Sequence, residues 1–99
     1  MSETTTIELL IPLDHPTAEL HFPGMPIVPG ALLLDEIVQQ IAPEQSLTFI
    51  DVKFIAPAPF GETLLLEQHP DVTHQGRTLF TLTRKATGAP LMKGSWLLR

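Results

Sequence analysis

Cysteine is absent from the 99 residues, which excludes a disulfide framework, a thiolate metal site and a cysteine nucleophile together. Basic residues are scarce: six Lys and Arg stand against eleven Asp and Glu, for a net charge of −5. Non-specific nucleic-acid binding needs phosphate-neutralising basic surface, and this balance argues against it. No apolar run approaches the roughly 20 residues of a membrane-spanning helix. The opening MSETTTIELL is acidic and polar, without the basic start and apolar middle of a secretory signal. The four histidines, at 15, 21, 69 and 74, include no pair at the H-x-x-x-H spacing of a helical zinc site. Neither a metal nor an organic cofactor is expected. There are no internal repeats and no low-complexity linker. What remains is one cytoplasmic domain over residues 1–99. A chain this short buries a modest share of its surface, so association would add core that it cannot build alone.

What is present is a packed globule's pattern. Hydrophobic residues make up 43% of the chain. IELLIP (7–12) reads as a first strand, and the proline-rich LDHPTAELHFPGMPIVPG that follows reads as irregular. A helix is expected from Ala31 to Ile41, where Leu33, Leu34, Ile37, Val38 and Ile41 recur at helical spacing and Pro43 stops the ladder. Beyond it the strand period takes over, in segments 47–57, 62–69, 77–85 and 90–99. In the first of these Ile50, Val52 and Phe54 should share one face, with Asp51 and Lys53 on the other. Gly88 marks a hairpin between the last two. One strand, one helix and four further strands predict a two-layer α+β domain, its helix covering one apolar face of an antiparallel sheet.

The stretch HFPGMPIVPG (21–30), placed just before the helix, resembles the signature of the FabA/FabZ-type 3-hydroxyacyl-acyl-carrier-protein dehydratases. IDVKFIAPAPFGETL (50–64) is a second, weaker match to the same family. Together they cover about a quarter of the chain, whose shortness looks more like the dehydratases of aryl-polyene-type pathways. The resemblance implies a hot-dog fold, a sheet wrapped around a central helix, and a homodimer or larger assembly of dimers with active sites at the subunit interface. It implies that His21 is the catalytic histidine, and that Asp35, fourteen positions on, is the catalytic acid. Gly30 would supply the amide for the thioester oxygen, Gln39 would orient the acid, and Phe22 would line the acyl tunnel. The substrate would be a (3R)-3-hydroxyacyl chain on the phosphopantetheine arm of an acyl carrier protein.

These residue types suit such an elimination. A proton α to a thioester is weakly acidic, and hydroxide is a poor leaving group. A base, an acid and an oxyanion stabiliser are therefore all required. Histidine is substantially neutral near pH 7 and serves as the base. The acid must hold its proton, and Asp35, expected at the edge of the apolar stripe beside Ala31 and Val38, would have its pKa raised by desolvation. Glu36 is read as solvated, Trp96 and the phenylalanines as core, and His15, His69 and His74 as surface residues in turns. A turn at residues 87–90 would bring Arg84 opposite Lys93, two like charges forming a docking patch for the acidic carrier. Two other readings stand beside the lyase: a hot-dog thioesterase using His21 and Asp35 to activate water, and a non-catalytic subunit that binds acyl carriers.

Overall fold

The computed structural model describes residues 4–11, 27–28, 30–41 and 47–98. Its elements in chain order are β1 (Thr5–Leu10), β2 (Ile27–Val28), α1 (Gly30–Ile41), β3 (Leu47–Phe54), β4 (Ala58–Pro59), β5 (Thr63–Pro70), β6 (Arg77–Arg84) and β7 (Pro90–Leu98). Five strands form one antiparallel sheet in the order β1-β5-β6-β7-β3. The two-residue strands β2 and β4 pair separately, with Ile27 opposite Pro59 and Val28 opposite Ala58. That pairing ties the backbone entering α1 to the segment after β3.

Period-two alternation explains the sheet. Ile7, Leu66, Leu82 and Met92 lie opposite one another on successive strands. The last three are fully buried. Leu33 and Ile37, one turn apart on α1, are buried in the same cluster, so the helix covers that face. Burial of a side chain of this size contributes about 1.5–3 kcal/mol. At one end of the core Phe80 stacks on Trp96 at 4.9 Å, and Phe49 meets both rings edge-on at 5.9 and 6.1 Å. Phe54, expected in the core, is 53% exposed.

β3 departs from the expected alternation. Its register against β7 shifts between Phe49 and Asp51, so Ile50 is the extra residue of a bulge and stands 41% exposed. Phe49 takes the inward position instead. Gly94 accommodates the close approach that accompanies this bulge: a Cβ there would lie 1.9 Å from the carbonyl oxygen of Asp51.

The β6–β7 hairpin also differs from the expectation. Gly88 does turn the chain at a positive φ of 76°. However, Thr83 pairs with Pro90 and Thr81 with Lys93, across a longer turn and a register shift beyond Leu82. Because side chains alternate, this displacement puts Arg84 and Lys93 on opposite faces. Arg84 lies opposite Leu64 on the helix side, and Lys93 lies opposite Thr81 and Lys53 on the outer side. The Arg84–Lys93 patch is not formed.

Candidate active site

The first turn of α1 begins at Gly30, where backbone N–H groups have no intrahelical partner and the helix dipole places partial positive charge. No acidic side chain in that turn offsets the charge. Beside it lies a slot of about 490 Å³, walled by Leu33, Phe54, Ile55, Ala56, Pro57 and Ala58 with Gly30 at its edge. The lining side chains are all apolar, and the backbone N–H groups of Ile55 and Ala56 both turn away to the carbonyl of Leu91. An apolar slot against a positive helix end accommodates a hydrocarbon chain that ends in a polar carbonyl.

Phe54 controls how closely anything approaches Gly30. A Cβ on residue 30 would come within 2.9 Å of Phe54 Cζ and 3.0 Å of Cε1. The aromatic ring therefore packs against the glycine's bare face. The sequence carried a signal for this wall in FIAPAPFG, where two large apolar residues, Phe54 and Ile55, precede a proline-rich turn. Both are partly exposed, at 53% and 43%.

Asp35 projects from α1 on the side away from the sheet. With about 100° per residue, it lies almost diametrically opposite the buried arc centred on Leu33 and Ile37. Gln39, one turn further on, shares that exposed face, and Asp35 makes no hydrogen bond or ion pair with any described residue. The expectation for Glu36 is reversed: it is half-buried while Asp35 is exposed, because its position on the helix lies nearer the buried arc. Desolvation of Asp35 is therefore not supplied by the described part of its own chain. His21 and Phe22 lie outside the described residues, as does His15. The remaining histidines are exposed, His74 in the β5–β6 turn as expected and His69 within β5 rather than in a turn. No group of three metal-ligating side chains occurs among the described residues.

Of the two charges expected to form a carrier patch, Arg84 is engaged elsewhere, while Lys93 has no carboxylate partner among the described residues. Arg84 donates from Nε and Nη2 to Glu62 at 3.0 and 2.7 Å, and Lys85 Nζ reaches Glu8 at 2.7 Å. Arg77 bridges Asp51 and Asp71 and donates through Nε to the buried Ser95 hydroxyl. Asp71 is held down at a pKa of about 2, chiefly by hydrogen bonds from the Thr73 hydroxyl and backbone N–H, with His74 adding to the effect.

One helix against a five-stranded antiparallel sheet recurs in solved structures. A dehydratase heterocomplex, ApeI:P, from Xenorhabdus doucetiae superimposes with a TM-score of 0.71 and 26% identity over 96% of this chain and 86% of that one. The fold is a hot-dog. An (R)-hydratase from A. caviae shares this hot-dog with a TM-score of 0.64 and 14% identity, over 99% of this chain and 94% of that one. A 1,4-dihydroxy-2-naphthoyl-CoA thioesterase from Synechocystis does so with a TM-score of 0.63 and 15% identity, over 96% and 80%. No protein-family model matches the chain, and no curated protein sequence matches it. Hot-dog proteins similar to this chain thus include dehydratases, hydratases and thioesterases. Among the described residues no helix is long and apolar enough to cross a membrane.

Proposed function

We propose that this hot-dog protein is a hydro-lyase that converts (3R)-3-hydroxyacyl thioesters, carried by an acyl carrier protein, into trans-2-enoyl thioesters. The observation that carries the reading is the apolar slot ending at the Gly30 helix terminus, with Asp35 just over one turn along the same helix. The likeness to a dehydratase heterocomplex over nearly the whole chain supports it.

In this mechanism the thioester carbonyl oxygen accepts a hydrogen bond from Gly30 N–H, which stabilises the enolate as it forms. The His21 imidazole takes the α-proton. The Asp35 carboxyl group donates its proton to the 3-hydroxyl, which departs as water while the C2–C3 double bond forms. A proton passing from His21 to Asp35 restores both groups.

Asp35 faces away from its own sheet, so a neighbouring subunit is what would enclose it. β3 forms one edge of the sheet and carries exposed Ile50 and Phe54, features that support assembly of two copies through that edge. The heterocomplex relationship favours a second arrangement, in which this chain is one subunit of a mixed pair and contributes its half of each site.

The test is to incubate the protein with a 3-hydroxyacyl carrier thioester while following conjugated enoyl absorbance and free thiol. Enoyl product without thiol is expected. Thiol release instead would identify a thioesterase. Silence from a folded protein that still binds the carrier would identify a non-catalytic subunit.

A further inference from the structure

Five Lys and Arg lie among the described residues, and Arg77, Arg84 and Lys85 are each within 4 Å of a carboxylate. The other two, Lys53 and Lys93, have no carboxylate partner among the described residues. They stand directly opposite each other on β3 and β7, on the face turned away from α1. Both are exposed. Directly opposed residues on antiparallel strands have Cβ atoms about 4.5–5.5 Å apart, and like charges there are destabilising. The nearest acid on β3, Asp51, is already engaged by Arg77. Thr81 lies opposite Lys93 on the far side, so a hydroxyl and two ammonium groups form a row across three strands.

This row borders an open groove of about 650 Å³ on the outer face, whose other walls include Ile50, Leu79 and Ser95. Ile50 stands there because the bulge displaces it from the core. We infer that the groove is a docking surface for a partner protein that presents closely spaced carboxylates. An anion bridging the two ammonium groups removes their mutual repulsion, so binding relieves a cost present in the free chain. The exposed Ile50 and half-buried Leu79 offer apolar contact beside the charges, as a protein interface needs and a small anion does not. With a net charge of −5 the chain repels acidic partners at long range. Attraction must therefore be local, within a screening length of about 8–10 Å. None of these residues lines the slot at Gly30, so the inference does not rest on that slot, although Ile50 also stands on the β3 edge through which assembly is proposed.

The experiment is a backbone-amide NMR titration of the intact protein with hexaglutamate peptide and, separately, with inorganic phosphate, at low and high salt. The peptide should shift the amides of residues 50–53, 79–81 and 93–95, and bind roughly tenfold or more weakly to the K53Q/K93Q variant and at high salt. K53Q alone should raise Tm at low salt by relieving the repulsion, a readout independent of any ligand. Equal peptide binding by the double variant, or shifts confined to other surfaces, would overturn the inference. Phosphate binding more tightly than the peptide at these residues would overturn it in favour of a small phosphorylated ligand.

Discussion

Gly94 lies on β7 beside the β3 bulge, and changing it to alanine tests the bulge that shapes both faces of that edge. The added Cβ would stand 1.9 Å from the Asp51 carbonyl oxygen, 3.0 Å from its carbon and 3.1 Å from the Val52 Cα. All three are backbone atoms, so no rotamer change relieves the clash. An ordinary Cβ–oxygen contact begins above 3.0 Å, so β3 would have to move by more than an ångström. Overpacking costs about 1–3 kcal/mol where neighbours adjust. The rigid obstacle here puts the expected loss at the upper end, about 3 kcal/mol or more. For a domain of this size each kcal/mol lowers Tm by about 4–8 °C, so a fall on the order of 12–24 °C is expected in calorimetry. Gly88→Ala is the control: its φ is 76° but nothing lies within 4 Å of the added carbon, so only backbone strain of about 1–2 kcal/mol applies. Near-UV circular dichroism should change for Gly94→Ala alone, because Phe49 leaves Phe80 and Trp96 when β3 shifts. If Gly94→Ala melted within about 2 °C of the parent, the bulged pairing of β3 with β7 would be wrong.

Three further outcomes are expected. Gly30→Ala meets only the mobile end of the half-exposed Phe54 ring, so Tm should change by less than about 5 °C. Its dehydration rate should fall because the slot narrows at the amide, and Phe54→Ala in the same chain should restore part of it. Asp35→Asn should leave the fold and assembly intact by scattering and circular dichroism, yet lower dehydration by roughly 10²–10⁴-fold, since an amide cannot donate a carboxylic proton; unchanged turnover would remove Asp35 from the mechanism. The Asp71 carboxyl has a folded pKa of about 2 against its ordinary value of 3.8, so its ionised form stabilises the fold above the higher value. That contribution is lost as pH falls from 3.8 toward 2. Asp71→Asn should therefore flatten the pH dependence of Tm across this window, and a variant as steep as the parent would contradict the assignment.

Much of the fold was legible in the residues. Leu33 and Ile37 at helical spacing marked the buried side of α1, and the expected strand segments 62–69 and 77–85 became β5 and β6. Pro29-Gly30 announced the helix start within one residue. The candidate site was legible only in part, since Gly30 and Asp35 were singled out but the Phe54 wall was not. Glu36 and Asp35 exchanged their expected burial because the centre of the apolar arc depends on which flank of the helix meets the sheet. An adjacent pair of acids cannot report that.

Local periodicity, capping and turn chemistry determined which segments became helix or strand, because those preferences act over a few neighbouring residues. Tertiary structure decided which residues meet. One bulged residue at Ile50 and a longer turn after Arg84 moved every opposition downstream of them, separating Arg84 from Lys93 and setting Lys53 against Lys93 instead. Side chains alternate faces along a strand, so an odd shift in register changes the side on which a charge appears. That shift depends on packing among distant strands, notably the bare backbone at Gly94 that admits the Asp51 carbonyl.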